Sequence, residues 1–429
     1  MTTAATVPAI IPHEHPFRWA MLGGVWLIYF SFGLLAASMP PLIAPISADL
    51  ALSNTAIGSI LGAWPLVYIV VAIPCGVFVD RAGLKWALFL AAILMAASGA
   101  LRAVAPGYIT MFLAVGIFGV GGPLISIGAP KAIAQWFAGR ERGIAIGIYI
   151  TGPSLGSVLA LSLTNSVLMP VVDNDWRAAL MVYAVIILVA GFSWFALAMN
   201  PINRSVEAAT KKGGTMGDQL AVFGALLRIR SVWLVLAMSI GIFFFFHGMG
   251  NWLPELLRQG GMAPAEAGLW ASVPVAVGII GSLTVPRFAA PHRRFAVLLV
   301  LFASIGVGAV LLFNGQTPSI VASLIVQGLG RGSLMAIALL VLMETRGVDA
   351  GDMGAAGGLF FSAAEIGGVL GPLSIGVVVD VTGGFNGALW MMIAVSGALV
   401  LLLFSHRSAE RRASALGGDT SPTSKNSGS

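Results

Sequence analysis

Charge is scarce in this sequence. Only 9% of its 429 residues are Asp, Glu, Lys or Arg, whereas a soluble globular chain carries about 25%. There is one cysteine, Cys75, which excludes an intrachain disulfide and a cysteine-based metal site. The chain also lacks the G-x-x-x-x-G-K-[ST] phosphate-binding motif. These absences exclude a large soluble core and argue against redox chemistry or ATP-driven work.

Apolar residues, by contrast, make up 58% of the chain and fall into long runs. A helix needs about 20 apolar residues to cross a bilayer core. The first run exceeds the apolar region of a signal peptide, so we expect it to remain as a helix. We therefore predict an all-α membrane protein of about twelve transmembrane helices. The runs occupy residues 17–39, 55–79, 86–104, 108–133, 143–168, 178–199, 231–253, 267–288, 295–313, 319–343, 355–379 and 386–405.

The runs form two sets of six, which predicts two pseudo-symmetric six-helix halves. A shift of 211 residues pairs Gly119 with Gly330 and Gly156 with Gly367, as an internal repeat would. The break between the sets contains a basic, glycine-rich stretch at 211–214, which is typical of a flexible linker. The predicted segments are an N-terminal half at 1–199, a cytoplasmic linker at 200–230, a C-terminal half at 231–405 and a disordered cytoplasmic tail at 406–429.

Basic residues predict the orientation, because Lys and Arg are retained on the cytoplasmic side of a membrane protein. If both termini are inside, only Arg102, Arg177 and Arg258 lie at the outer face, and Arg331 alone lies within the membrane. We therefore expect a multi-pass inner-membrane protein with cytoplasmic termini. The net charge of +6 then reflects this topology and contact with lipid, and not a nucleic-acid partner.

One motif resembles a known family. Between runs 2 and 3 the sequence GVFVDRAGLK, from Gly76 to Lys85, resembles the G-x-x-x-D-R-x-G-R-[RK] signature of the major facilitator superfamily. The resemblance implies alternating-access transport, with Asp80 latching helix 11 in the outward-facing state and with Arg81 and Gly83 completing the motif. An acid at a helix end can meet the positive N-terminus of another helix, and glycine suits a tight turn. The alternative is an ordinary charged loop that anchors two helices.

Two glycine–proline elements lie inside the runs. Gly152, Pro153 and Gly156 in run 5 resemble a motif found in many antiporters of that superfamily, and run 11 carries Gly371 and Pro372. Small residues let helices approach closely, and proline permits a bend. These five residues are predicted to serve helix packing or kinking, with or without a role in the transport cycle.

The connection between runs 4 and 5 resembles a particular group of porters. The sequence from Lys131 to Gly147 looks like the same region of oxalate–formate, monocarboxylate, cyanate and nitrate porters. Nitrate itself is disfavoured, because nitrate porters place an arginine in both helix 2 and helix 8. Neither run here carries a mid-helix arginine.

Arg331 is the sharpest candidate for a site residue, because it falls near the middle of run 10. A charge at bilayer depth costs several kcal/mol even on the most lenient scale, roughly 3 kcal/mol, so it needs a partner or a function. Glu365, about midway along run 11, could be either an ion-pair partner that fixes packing or a coupling group beside an anion site. The sequence is compatible with both roles of Glu365.

Other polar residues are candidates for a substrate site. Gln327 lies one turn from Arg331, and His247 and Asn251 share one face of run 7. The resemblance implies that helices 1, 4, 7 and 10 line the central path. Tyr29 and Tyr68 could then supply an opposing wall and a hydroxyl group, although aromatic packing is the commoner role of such residues.

These observations favour a secondary transporter of a small organic or inorganic anion, such as a monocarboxylate or cyanate, with a membrane lipid environment and a coupling proton as partners and with no cofactor or metal. The alternative is proton-driven efflux of an amphipathic drug-like compound, which the glycine–proline motif and the aromatic residues favour. No nucleophile–base or metal constellation in the sequence supports an enzyme.

Overall fold

The structure is a computed structural model of the 429-residue chain and describes residues 12–210, 223–345, 348 and 353–418, with side chains described for 12–207, 223–345, 348 and 356–411. Twelve helical segments in these ranges are long and apolar enough to cross a membrane, and the described residues contain no strand. The segments are α1 Phe17–Asp49, α2 Asn54–Ala82, α3 Leu84–Ala103, α4 Tyr108–Trp136, α5 Gly139–Val171, α6 Trp176–Ala198, α7 Arg230–Gln259, α8 Pro264–Phe288, α9 Arg294–Leu312, α10 Thr317–Met343, α11 Ala356–Thr382 and α12 Asn386–Arg411.

The prediction of an all-α protein with twelve membrane helices is confirmed, and each helix overlaps one predicted run. The largest extension is in α1, which continues past the predicted end at residue 39. The main helix ends at Ala36, a 3-10 turn follows at Pro40–Leu42, and a short helix runs over Ile43–Asp49. Pro40 and Pro41 break the helix because proline has no backbone N–H to donate.

Two segments outside the bundle differ from the expectation of unstructured chain. The linker begins as a helix, Pro201–Thr210, whereas its basic glycine-rich stretch lies outside the described residues. The prediction of a disordered tail from residue 406 is wrong for its first part, because the last helix continues to Gly418. The guanidinium of Arg407 lies 4.2 Å above the ring of Phe295 on α9. Extending an existing helix through alanine and arginine needs no new nucleus, so apolar burial is not required there.

Equivalent contacts in the two halves show the repeat directly. A Cβ added at Gly156 of α5 would overlap the carbonyl oxygen of Phe30 on α1. A Cβ added at Gly367 of α11 would overlap the carbonyl oxygen of Ile240 on α7 in the same way. The pairs α1–α5 and α7–α11 therefore pack alike, backbone against backbone, because glycine allows that approach.

The register of the repeat is less uniform than the sequence suggests. A Cβ at Gly119 of α4 would touch Trp64 and Val67 of α2, and a Cβ at Gly328 of α10 would touch Pro274 and Val277 of α8. Gly119 therefore corresponds to Gly328, at a shift of 209 residues, and not to Gly330. The same shift makes Gly122 the counterpart of Arg331, whereas α5 and α11 keep the shift of 211.

The two halves meet at one end of the bundle. We call the end that carries the α1–α2 and α11–α12 connections the distal end, and the opposite end the terminal end. At the distal end, a Cβ at Gly58 of α2 would overlap the carbonyl oxygen of Pro372, and a Cβ at Gly268 of α8 would overlap that of Leu161 on α5. At the terminal end, a Cβ at Gly143 or Gly147 of α5 would meet nothing within 4 Å. Among the described residues, the halves are therefore packed together at the distal end, whereas α5 is uncovered at these two positions of the terminal end.

Candidate functional site

Arg331 projects from the middle of α10 toward α7. Its guanidinium lies 5.2 Å from the ring centroid of Phe246, and Gly250 gives it room, since a Cβ there would overlap Nη2. No carboxylate of the described residues lies within 4.0 Å of this guanidinium. The alternative of an Arg331–Glu365 ion pair is therefore wrong for this conformation. The contact with the aromatic face partly stabilises the charge and leaves the planar fork for another group.

Glu365 has a different partner. Its Oε2 lies 3.8 Å from Nε2 of His247 on α7, the side chain is 6% exposed, and this oxygen accepts no hydrogen bond from the described residues. Gly368, one turn further along α11, makes the space: a Cβ there would overlap Oε2 and lie 3.2 Å from Nδ1 of His247. Glu365 turns to α7 because α7 and α11 are the closely packed pair, with Gly371 of α11 against Phe244 of α7.

His247 connects Glu365 with the N-terminal half. Its ring lies 5.1 Å from that of Trp64 on α2 and stacks at 5.6 Å on Phe243 of its own helix. Pro65 follows Trp64 and lies 3.1 Å from a Cβ at Gly368. One histidine therefore lies beside the carboxylate and contacts the opposite half.

The two predicted tyrosines lie on the N-terminal side of this cluster. The Tyr68 hydroxyl is 3.0 Å from Oγ of Ser126 on α4, and its ring fills the space above Gly122, 2.9 Å from a Cβ built there. Tyr29 stacks on Tyr149 of α5 at 5.8 Å. Both predicted tyrosines therefore pack against residues of the N-terminal half.

The two predicted amides are directed elsewhere. The Gln327 side chain is buried at 3% exposure, donates to Oγ of Ser323 at 2.7 Å and packs against Gly308 of α9. The Asn251 amide donates to the carbonyl oxygen of His247, one turn back on its own helix, at 2.7 Å. Gln327 shares a helix face with Arg331, yet it packs toward α9. Asn251 shares a helix face with His247, yet it bonds to the backbone of its own helix. Neither amide therefore lies in the site.

The signature loop lies at the terminal end and contacts its own half. The carboxylate of Asp80 accepts a hydrogen bond from Nζ of Lys131 on α4 at 2.6 Å. Gly83 has φ of +85°, a backbone conformation that favours glycine, and the Lys85 amide donates to Glu207 of the linker helix at 2.8 Å. Arg81 is exposed. The residues leading into helix 11 lie partly outside the described part of the chain, and the expected contact of Asp80 with that helix stays a prediction.

The glycine–proline elements lie in the tightly packed helix pairs. A Cβ at Gly33 of α1 would overlap the carbonyl oxygen of Pro153, and one at Gly152 would lie 3.0 Å from the carbonyl oxygen of Trp26. In the other half, Gly371 approaches α7, and the carbonyl oxygen of Pro372 accepts a hydrogen bond from Nε1 of Trp252 at 2.9 Å. Both elements therefore lie where α1 meets α5 and where α7 meets α11.

Sequence reasoning missed several neighbours of the site. Trp64, Ser126 and Phe246 carried no charge to single them out, although Trp64 lies four residues from Tyr68 and so shares its face of α2. Arg102 was expected at the outer face, yet it is 2% exposed and its guanidinium lies 5.5 Å from the ring centroid of Phe118. Its Nη1 donates to the carbonyl oxygen of Leu35 at 3.4 Å, beside the break in α1 that leaves such carbonyls free.

The family model described as Major Facilitator Superfamily matches residues 22–345. The chain belongs to this superfamily. A bacterial homolog of the human lysosomal transporter Spinster, solved in an inward-facing and unoccupied conformation, has the same fold, with a TM-score of 0.74 at 16% identity over 92% of this chain and 97% of that chain.

Two curated relatives of this facilitator are informative. The hexuronate transporter of Bacillus subtilis strain 168 is 25% identical over 378 residues, which are 84% of this chain and 88% of the relative. A quinolone resistance transporter of Acinetobacter baumannii is 24% identical over 391 residues, which are 86% of this chain and 88% of the relative. The superfamily prediction is confirmed, whereas these relatives are not the oxalate–formate, monocarboxylate or cyanate–nitrate porters that the sequence resembled. This facilitator is a multi-pass secondary transporter and not an enzyme.

Proposed function

We propose that this facilitator transports a small organic anion of the sugar-acid class and that Arg331 binds its carboxylate. The observation that carries the proposal is the guanidinium itself, which lies at mid-membrane depth over Phe246 with no carboxylate of the described residues within 4.0 Å. A planar guanidinium can grip a carboxylate by two parallel hydrogen bonds. The hexuronate transporter among the relatives supports this substrate class.

The rest of the site suits a polyhydroxylated anion. Tyr68, Ser126 and Tyr29 offer hydroxyl groups on the side opposite Arg331, and Trp64 offers an aromatic face of the kind on which an apolar sugar face packs. The substrate would then be oriented, with its carboxylate toward the C-terminal half and its hydroxyl groups toward the N-terminal half. A monocarboxylate without hydroxyl groups would leave the second set unused.

We further propose that Glu365 carries a coupling proton and that His247 shares the site. The carboxylate lies at 3.8 Å from the imidazole, and no described residue donates a hydrogen bond to its Oε2. A carboxyl group that is not committed to a structural hydrogen bond can take up and release a proton during a cycle. Trp64 and Pro65 of the opposite half cover the pair, so opening of the halves would expose it.

The orientation belongs to the same proposal. We place the protein in the plasma membrane with both termini in the cytoplasm, on the distribution of its basic residues. A reporter fused after Lys212, which lies outside the described residues, or after Arg412 is expected in the cytoplasm, and one after Asp173 outside. A Lys212 fusion found outside would reverse the orientation.

A ligand screen by thermal unfolding of the purified protein tests the substrate class. Galacturonate and glucuronate are expected to raise the melting temperature, since a ligand at 100 times its Kd stabilises the folded state by about 2.7 kcal/mol. Galactose and glucose are the matched controls, because they keep the ring and hydroxyl groups but lack the carboxylate. Equal stabilisation by the neutral hexoses would refute the role of the anion.

The second candidate function is efflux of an amphipathic compound, and the quinolone resistance transporter among the relatives favours it. The same screen separates the two functions. A quinolone that stabilises the protein, together with hexuronates that do not, would support efflux. Proteoliposome counterflow with the stabilising compound would then establish that it is carried.

A further inference from the structure

Asp380 joins the two halves at the distal end. It lies two residues before the end of α11, and its carboxylate reaches the start of α2. Its Oδ1 accepts hydrogen bonds from the backbone N–H of Asn54 at 3.1 Å and from the side-chain amide at 2.8 Å. Its Oδ2 accepts from the backbone N–H of Thr55 at 2.7 Å and from the hydroxyl at 2.6 Å. One carboxylate thus receives four hydrogen bonds from the opposite half.

These bonds are favourable for two reasons. The first N–H groups of a helix have no partner within the helix, so Asp380 satisfies two donors that would otherwise need water. The partial positive charge at a helix N-terminus also favours a carboxylate there, and hydrogen bonds to a charged acceptor are stronger than neutral ones. The carboxylate is exposed to solvent, so its contribution to the closed arrangement is moderate and sensitive to competition from water.

A continuous contact between α2 and α11 leads from this carboxylate to the candidate site. A Cβ at Gly376 would overlap the carbonyl oxygen of Asn54, and a Cβ at Gly58 would overlap that of Pro372. One turn further, a Cβ at Gly62 would lie 3.0 Å from the carbonyl oxygen of Val369. The small residues let the two backbones touch along this seam, and the seam ends where Pro65 meets Gly368.

We propose that Asp380 is a positioning residue that clamps α2 to α11 when the distal end is closed and thereby completes the transport site. While the clamp holds, Trp64 lies against His247 and Pro65 lies against Gly368, beside Glu365. When the distal end opens, α2 moves away from α11, the four hydrogen bonds break and Trp64 and Pro65 leave the site. The site therefore has both walls in place only in the clamped arrangement.

The clamp has a counterpart at the other end of the same helix pair. Asp80 lies two residues before the end of α2, as Asp380 does before the end of α11. In this distally closed structure Asp380 holds the opposite half, whereas Asp80 holds Lys131 of its own half. Each acid is thus placed at the end of one helix of the seam, and among the described residues Asp380 bonds to the opposite half and Asp80 to its own half.

Cysteine labelling tests the clamp without any substrate. In a Cys75→Ser background, Val369→Cys places a thiol in the seam, and its rate of reaction with a maleimide reports opening of the distal end. Asp380→Asn is expected to raise this rate by about threefold to tenfold, the range that corresponds to the loss of about one net hydrogen bond. Asp49→Asn is the matched control, because Asp49 lies at the same end and pairs with Arg177 of its own half at 2.9 Å.

A second variant, Thr55→Val, tests the clamp independently of Asp380→Asn. Thr55→Val deletes the hydroxyl donor while keeping every charge and the backbone donor, and it should raise the labelling rate in the same direction but less. Combined with Asp380→Asn it should add little, since both changes break one contact. The proposal is overturned if both variants, folded by size exclusion and thermal unfolding, label at the rate of the Asp49→Asn protein. Because no ligand enters the measurement, failure of the sugar-acid proposal would not affect this outcome.

Discussion

The N-terminal and C-terminal halves pack their helices alike and differ in the side chains that they place at the centre. The counterpart of Arg331 is Gly122, at the shift of 209 residues, and the counterpart of Glu365 is Ser154, at the shift of 211. In place of these charges the N-terminal half offers Tyr68, hydrogen-bonded to its neighbour, and an indole ring. The two halves thus share their backbone contacts, while the charged groups lie on one side only.

A one-sided site has a physical advantage for an oriented solute. Each charge that is placed at bilayer depth costs free energy, so a second arginine in the N-terminal half would need its own partner. A single guanidinium binds one end of the solute. Neutral hydroxyl groups can then recognise the other end at a lower desolvation cost than a second charge. The comparison therefore predicts large effects from substitutions in the C-terminal half and small ones in the N-terminal half.

The largest effect is expected at Arg331. Replacement by lysine keeps the charge but removes the planar fork, and replacement by glutamine removes both, so affinity for the stabilising anion should fall by about tenfold and by about 100-fold respectively. Titration by thermal shift of the purified variants measures this. Arg258→Lys is the control, because Arg258 pairs with Glu255 three residues before it on α7. If both Arg331 variants are folded and keep wild-type affinity, the proposed anion site is refuted.

The next effect separates coupling from binding. Glu365→Gln should abolish uptake driven by a pH gradient in proteoliposomes while leaving counterflow exchange near the wild-type rate, since the amide cannot carry the proton but preserves shape. Glu255→Gln is the matched control: Glu255 is also buried, yet it has Arg258 and Gln259 as partners. Loss of both transport modes would indicate a structural role for Glu365, and unchanged pH-driven uptake would exclude it from coupling.

Most of the fold could be predicted because bilayer thickness fixes how long an apolar run must be. The run predicted at 108–133 became the helix Tyr108–Trp136, and the others agree similarly. The break in α1 and the continuation of the last helix were missed, because they depend on proline placement and on helix propensity outside the apolar runs. The predicted repeat shift of 211 residues was wrong by two for α4 and α10, which are related by 209. The connection between α10 and α11 is therefore two residues longer than the one between α4 and α5, and loops tolerate such insertions.

The site was predicted less well, for a reason that Arg331 and Glu365 illustrate. Hydropathy singled out both residues, since a charge inside an apolar run is conspicuous. Their partners depend on which helices pack most closely, and that follows from contacts such as Gly371 against α7, which composition does not reveal. His247 was named as a candidate for substrate binding, but its position beside Glu365 could not be read from spacing along the chain.

Helix packing should respond equally in the two halves, in contrast to the site. Gly156→Ala and Gly367→Ala each force a Cβ into a backbone carbonyl of the paired helix, and overpacking of this kind typically costs about 1–3 kcal/mol. Both variants should therefore lower the melting temperature of the detergent-solubilised protein by similar amounts. Gly147→Ala is the control on the same helix, because a Cβ there meets nothing within 4 Å. Unequal decreases of the melting temperature in the Gly156 and Gly367 variants would contradict equivalent packing in the two halves.

The smallest effect is expected at Tyr68, which belongs to the uncharged N-terminal side of the site. Tyr68→Phe keeps the ring above Gly122 and removes only the hydroxyl that lies 3.0 Å from Oγ of Ser126. One neutral hydrogen bond contributes about 0.5–1.5 kcal/mol, so affinity for a hexuronate should fall by about twofold to tenfold. If the hydroxyl reads the solute, the loss should be absent for a carboxylate without hydroxyl groups, measured by the same thermal-shift titration. Ser126→Ala is the companion variant: the double variant should bind no worse than Tyr68→Phe if Ser126 acts only by orienting that hydroxyl. A loss at Tyr68 as large as the one expected for Arg331→Gln, about 100-fold, would show that the N-terminal half carries binding energy without carrying charge.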